Sequence, residues 1–84
     1  LPRVLILRMA GVPMIDATGA AAFGRFSRDA HSRGTIVVLS ELSEAPLAML
    51  TAMNVTVPFA HTFAESIAIA RRFLPEKSGD QRGV

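Results

Sequence analysis

The sequence predicts a small α/β domain in which a mostly parallel sheet is covered by helices, in the element order β-α-β-α-β-α. Two observations predict this class. Short apolar runs rich in branched residues, which are typical of buried parallel strands, alternate with longer segments whose apolar residues recur at helical spacing. Capping and turn residues separate each run from the next. Right-handed crossovers then connect the strands.

Length and composition limit the function classes. A chain of 84 residues forms at most one domain, and the absence of cysteine excludes disulfides and thiolate metal sites. The net charge is only +2, the arginines are scattered, Trp and Tyr are absent, and the five Phe are assigned to the core. This composition argues against nucleic-acid binding. The two histidines have no ligand spacing, so no metal site is expected, and no apolar stretch approaches the ~20 residues of a membrane span.

The first half of the chain predicts a strand, a helix and a second strand. Residues 4–9 are apolar on both faces, so this strand is expected to be covered on both sides. Helix one is expected over 18–32 and ends before Gly34, and strand two covers 35–40. The apolar stripe of helix one consists of Ala22, Phe23, Phe26 and Ala30. Gly24 inside this helix is unfavourable by ~1 kcal/mol relative to Ala, which predicts a close approach to the sheet.

The second half predicts a helix, a short strand and a third helix. Ser43 is the expected N-cap of helix two and Asn54 its left-handed C-cap. Strand three covers 55–59, with Pro58 at its end or at a sheet edge. Helix three begins with a capping box at 62–65 and runs to about residue 74, and residues 76–84 form a flexible polar tail. The expected core residues of these helices are Leu47, Leu50, Met53, Phe63, Ile67, Ala70 and Leu74.

Two polar turns follow the first two strands and therefore meet at the carboxyl end of the sheet, where ligands and partners usually bind. Asp16 is expected to cap helix one, a role that is compatible with a direct partner contact. Thr18 is expected to help the cap, and Gly19 allows either tight packing or approach of a partner. Ser40 and Glu41 are expected at the same end of the sheet. They are either partner contacts or ordinary loop residues. No activating base or paired carboxylate accompanies these residues, so no catalytic residue is predicted.

The order of these motifs resembles the STAS domain, which is found in sulfate transporters and anti-sigma factor antagonists. The resemblance rests on Ile15-Asp16-Ala17-Thr18-Gly19, the Ala-rich helix, the strand Gly34-Thr35-Ile36-Val37-Val38-Leu39-Ser40 and the closing Phe63-Ala64-Glu65-Ser66-Ile67-Ala68 helix. It implies a STAS fold over residues 1–75. Complete members have one or two strands before the segment equivalent to 4–9. The domain is therefore expected to lack its N-terminal strands and to expose a sheet edge through which it could form oligomers.

The resemblance also implies a function. In free-standing anti-sigma factor antagonists, a kinase phosphorylates the residue directly after the aspartate, but Ala17 has no hydroxyl. The cytoplasmic STAS domain of SulP-type anion transporters is the closer likeness. It implies a non-enzymatic regulatory module without a cofactor, on the cytoplasmic side of the inner membrane as part of an integral membrane protein. It would bind the transporter's membrane domain or a cytoplasmic regulatory protein through Asp16, Ala17, Thr18, Gly19, Phe23, Ser40 and Glu41. The alternative is an anti-sigma-antagonist-like adaptor, in which Thr18 could be phosphorylated.

Overall fold

A computed structural model of the chain describes residues 3–74, so the predicted tail at 76–84 lies outside the described residues. The elements are β1 (Arg3–Arg8), α1 (Ala17–Ser32), β2 (Thr35–Ser40), α2 (Glu44–Ala52) and α3 (Phe63–Arg72). β1 and β2 pair in parallel, from Arg3 opposite Thr35 to Arg8 opposite Ser40, and α1 is the crossover between them. The α/β class and the parallel pairing are therefore confirmed.

The third predicted strand is reduced to one parallel bridge between Leu39 and Phe59. The Leu39 N–H donates to the Pro58 carbonyl at 2.9 Å, and the Ala60 N–H donates to the Leu39 carbonyl at 2.8 Å. Pro58 has no N–H to extend the ladder, which explains why a full strand at 55–59 does not form. The described elements thus follow the order β-α-β-α-α. The bridge still places this segment on the side of β2 opposite β1, so β2 is central.

The core is centred on β2. Val38 and Leu39 are fully buried, and Val37 is 3 % exposed. The neighbouring β1 is different, because Leu5 is 39 % exposed and Val4, Ile6 and Leu7 are only half-buried. The prediction that β1 is covered on both faces is therefore wrong. Within residues 3–74 β1 is an edge strand, and an edge position leaves part of its apolar surface open.

Small residues form the helix surfaces that press against the sheet. α1 buries Ala20 and Gly24, and α3 buries Ser66 and Ala70. Small side chains let the helices approach closely, and this displaces the large aromatic residues to the flanks. The assignment of all five Phe to the core is therefore wrong, since four are more than a third exposed: Phe26, Phe59, Phe63 and Phe73. The predicted stripes are also wrong at Ala22, Met53 and Leu74, which are exposed.

The close approach predicted at Gly24 is present, but its partner is a side chain from the connection after α2. A Cβ placed on Gly24 would lie 3.1 Å from Cγ2 of Val55. A side chain at this position would therefore press on the Val55 methyl group, which would have to shift by a few tenths of an ångström.

The predicted turn and cap residues are largely confirmed. Gly34 and Asn54 have φ angles of 90° and 58°, as expected for residues that end a helix in the left-handed conformation. The Thr62 hydroxyl accepts a hydrogen bond from the Glu65 N–H at 3.1 Å, and the Glu65 carboxylate accepts one from the Thr62 N–H at 3.3 Å. These bonds complete the capping box. Ser43 is the N-cap of α2, although its side chain makes no capping bond.

Candidate functional site

The turn before α1 and the loop after β2 lie at one end of the molecule because β1 and β2 end side by side, Arg8 opposite Ser40. We call this end the carboxyl-end face, and we define it by Arg8, Asp16–Gly19, Ser40–Glu44 and Phe63. The guanidinium carbon of Arg8 lies 4.5 Å from the centre of the Phe63 ring, which brings the start of α3 to the same end. The turn before α1, the loop after β2 and the start of α3 therefore meet at this face.

Asp16 caps α1, as predicted. Its backbone is extended, with φ −85° and ψ 175°, and its Oδ1 accepts a hydrogen bond from the Gly19 N–H at 2.7 Å. The Asp16 carbonyl accepts the first helical bond, from the Ala20 N–H at 2.9 Å. The carboxylate also adds negative charge at the positive end of the helix dipole. The helix itself thus holds the position of this side chain.

The neighbours of Asp16 have different roles from some of those predicted. Thr18 lies inside the first turn of α1, and Asp16 holds the N-cap position, so the prediction that Thr18 helps the cap is wrong. A Cβ on Gly19 would lie 3.1 Å from Asp16 Oδ1 and 3.2 Å from Cγ2 of Ile15. The packing explanation for Gly19 therefore has direct support, because a side chain there would press on the cap.

The turn is open to solvent. Asp16, Ala17 and Thr18 are all exposed, so a partner can reach these three of the predicted docking residues. Met14, just before the turn, is 70 % exposed and is the most exposed large apolar residue among those described. The sequence analysis missed Met14. Its position between Pro13 and the cap, outside any helical stripe, is the signal that could have identified it.

The aromatic residues on α1 divide between the core and the surface. Phe23 is half-buried and packs against the core cluster, whereas Phe26 is 45 % exposed. Their ring centres are 6.1 Å apart in a tilted arrangement. The role of Phe23 in partner binding stays a prediction. The aromatic surface that α1 presents to solvent belongs mainly to Phe26.

Ser40 is fully buried, which corrects its predicted place on the partner-facing surface. Its hydroxyl donates a hydrogen bond to Glu41 Oε2 at 2.9 Å. The physical reason is that Ser40 is still part of β2, whose last four residues are all buried. The buried Ser40 side chain therefore cannot contact a partner directly.

Glu41 forms a two-point ion pair with Arg8. The Arg8 Nε donates to Glu41 Oε2 at 2.7 Å, and Nη2 donates to Oε1 at 2.9 Å. Sequence analysis missed this pair, although both residues lie at the ends of strands that pair in parallel. Such a fork-to-fork contact fixes orientation as well as distance. Because the Arg8 side chain is 60 % exposed, the pair contributes more to geometry than to stability.

The Arg8 hydrogen bonds also affect the backbone and the titration of Glu41. Glu41 has a φ angle of 61°, in the left-handed region that a residue with a side chain seldom adopts. Hydrogen bonds from Arg8, with a further one from Ser40, lower the pKa of the Glu41 carboxyl despite some desolvation. The same contact raises the pKa of Arg8. The charged pair thus holds a strained loop residue in place.

The chemistry of this face is that of hydrogen bonding and packing. It offers carboxylates and hydroxyl groups, and Met14 just before Asp16 adds exposed apolar atoms. No group of three potential metal ligands occurs within residues 3–74. In the same segment no helix is long and apolar enough to cross a membrane.

Comparison with protein-family models identifies the domain. The model of the STAS domain matches residues 2–68, which include every element except the end of α3. Comparison with curated proteins and with solved structures gave no match. The match spans most of the chain and agrees with the observed α/β fold. The chain therefore belongs to the STAS-domain family.

Proposed function

We propose that this STAS domain is the cytoplasmic regulatory and protein-interaction module of a SulP-type sulfate or anion transporter. The observation that carries the proposal is the turn in which Asp16, Ala17 and Thr18 are exposed and Ala17 follows the aspartate. The turn is accessible for docking, yet the position that anti-sigma factor antagonists phosphorylate has no hydroxyl. A surface of this kind is suited to a protein contact that is not regulated by phosphorylation at that residue.

The proposed module works by binding rather than by catalysis and needs no cofactor. It would act at the cytoplasmic side of the inner membrane, and its partner would be the transporter's membrane domain or a regulatory protein. The rigid cap of α1 supports this role, because an interface gains affinity when its contact groups are already fixed before binding. Transport itself would take place in the membrane domain.

The reading frame that encodes the chain provides the first test. We expect hydrophobic segments of membrane-spanning length upstream of the codon for Leu1. A reading frame without such segments would overturn the transporter assignment, while the STAS fold would stand.

The second candidate function is a free-standing adaptor of the anti-sigma-antagonist kind. It is favoured by one observation: Thr18 is exposed in the first turn of α1 and is not the helix cap. Its hydroxyl is therefore open to a kinase, and a phosphate there would lie near the positive end of the helix dipole.

A kinase assay separates the two functions. The chain and its Thr18→Val variant are incubated with an anti-sigma factor kinase and ATP, and phosphate incorporation is measured by mass spectrometry. The transporter proposal predicts no incorporation above that of the variant. Stoichiometric phosphate at Thr18 of the unmodified chain, absent in the variant, would favour the adaptor.

A further inference from the structure

The charges of residues 3–74 are separated between the two ends of the sheet. The carboxyl-end face, together with Glu65 in the first turn of α3, carries four acidic residues against one arginine, which gives a net charge of −3: Asp16, Glu41, Glu44, Glu65 and Arg8. The opposite end carries five arginines against Asp29, which gives a net charge of +4: Arg3, Arg28, Arg33, Arg71 and Arg72. We call this opposite end the basic pole. Arg25, in the middle of α1, completes the +2 of the described segment.

The fold produces this separation because α1 and α3 run antiparallel to the parallel strands. The last turns of α1 and α3 therefore lie beside the start of β1 and β2. A groove of about 320 Å³ joins them, lined by Arg28 and His31 from α1 and by Phe73 after α3. The floor of the groove is apolar and includes Ile36 and Val57.

The ordinary explanation for these arginines is that they complement the negative ends of the helices. That effect is too small to account for the whole pole. The C-termini of α1 and α3 contribute about −1 elementary charge, which leaves a net charge of about +3. All five pole arginines are exposed, and of these five only Arg33 forms a salt bridge within residues 3–74, with Asp29 at 3.1 Å. Residues 75–84 contain two acidic and two basic residues, so their charges cancel in the total.

Exposed apolar residues accompany the charge. Phe73 is 37 % exposed and Leu74 is 43 % exposed, directly after Arg71 and Arg72. Arginine with exposed aromatic and aliphatic side chains is the combination found on surfaces that adsorb to anionic membranes. Nucleic-acid binding fits less well, since Phe73 is the only aromatic residue that lines this groove and a single ring makes a poor stacking platform.

We propose that the basic pole is a docking surface for an anionic membrane leaflet. In this orientation the strands stand upright on the membrane, and the carboxyl-end face points away from it, open to a partner. The proposal goes beyond the proposed function and does not depend on it, because either a transporter module or a free-standing adaptor could adsorb in this way.

Vesicle co-sedimentation tests the proposal. The full 84-residue chain is mixed with vesicles of phosphatidylcholine alone or of equal parts phosphatidylcholine and phosphatidylglycerol, at low and at near-physiological salt. We expect binding to the phosphatidylglycerol vesicles only, and weaker binding as salt increases. The variant Arg71→Gln/Arg72→Gln should bind about thirtyfold more weakly, from ~1 kcal/mol for each arginine.

The matched control is Arg25→Glu, which lowers the net charge by the same two units but lies about 10 Å from the end of α1. It should lose much less affinity than the double variant. Arg3→Gln/Arg28→Gln, on β1 and α1, provides a second pole variant should the first fail to fold by circular dichroism. Equal losses in the pole variants and in Arg25→Glu would overturn the proposal, as would binding to duplex DNA without binding to the vesicles. Neither result would bear on the transporter test, which reads the upstream coding sequence.

Discussion

At the scale of single residues, the carboxylate of Asp16 carries both local stability and the candidate docking function. Its Oδ1 holds the Gly19 N–H at 2.7 Å, a bond that satisfies one of the donors left unpaired at a helix start. A change at Asp16 therefore affects folding as well as binding, and experiments on this residue need a variant that separates the two effects.

The first prediction concerns this cap. Asp16→Ala should lower the free energy of unfolding by about 1 kcal/mol, whereas Asp16→Asn should retain most of the stability because asparagine is an equally good N-cap. Urea denaturation measures both values. Asp29→Ala, which removes an exposed ion pair with Arg33, is the control and should change stability by less than about 0.5 kcal/mol. An unchanged midpoint for Asp16→Ala would show that the observed cap does not stabilise α1.

The second prediction concerns pH. Because the pKa of the Glu41 carboxyl is lowered in the folded state, mainly by hydrogen bonds from Arg8, its contribution to stability is present above the ordinary range of a glutamate. That contribution is lost as the pH falls through the lowered folded pKa, below about 4.3. Glu41→Gln removes the titrating group, so its unfolding free energy should fall less steeply between neutral and acidic pH.

Thermal unfolding of the two proteins at matched pH values checks this expectation. Arg8→Gln should reproduce the flatter profile, because it removes the partner that lowers the pKa. Identical slopes for all three proteins would mean that the ion pair does not persist in solution.

At the scale of elements, the position of α1 depends on the absence of a side chain at Gly24. Gly24 lets the helix approach Val55, and a Cβ there would be 3.1 Å from a methyl carbon. Helix propensity favours alanine over glycine by ~1 kcal/mol, while the contact opposes it. The third prediction is that Gly24→Ala stabilises the domain more in a Val55→Ala background than in the original sequence.

A double-mutant cycle measures this coupling by chemical denaturation. The control is Gly34→Ala, where a Cβ would meet open space but the φ angle is 90°. It should destabilise the domain equally in both backgrounds, because its cost comes from the backbone and not from packing. Additive effects of Gly24→Ala and Val55→Ala would contradict the contact.

At the scale of the whole molecule, β1 leaves one edge of the sheet without a partner among residues 3–74. Such an edge can pair with another strand, and the exposed Leu5 side chain would add apolar contact. The fourth prediction is that the chain self-associates through this edge as its concentration rises. Leu5→Lys should weaken the association at least tenfold, because it places a charge beside the pairing strand.

Sedimentation velocity over a concentration series measures this effect. Ala48→Lys, on the exposed side of α2, adds the same charge elsewhere and should leave association unchanged. A monomer at every concentration, or the same weakening by both lysine variants, would exclude the edge as the contact.

Sequence reasoning predicted the features that depend on local chemistry. The caps at Asp16 and Thr62, the left-handed positions at Gly34 and Asn54, and the buried run of β2 all follow from one residue and its neighbours in the chain. The failures involve contacts between distant segments. Phe26 looks like a core residue by spacing alone, but the surface against β2 is already taken by small side chains.

The candidate site divides in the same way. The exposed Asp16 turn was predicted, whereas the Arg8–Glu41 pair joins residues 33 positions apart. Its formation depends on the register that sets Arg8 opposite Ser40. Ser40 was misplaced because its position at the carboxyl end of the predicted strand suggested that it faces a partner, whereas the last four residues of β2 are all buried.

The cap of α1 has a consequence for recognition. Within residues 3–74, the hydrogen bond from Gly19 occupies only one oxygen of Asp16, so the other is held in a known direction before any partner arrives. A guanidinium or amide from a binding protein would meet an acceptor whose rotamer is already selected, and complex formation would cost less side-chain entropy. A longer carboxylate side chain without this cap would lose conformational entropy when it binds the same partner. Asp16 has already lost that entropy on folding.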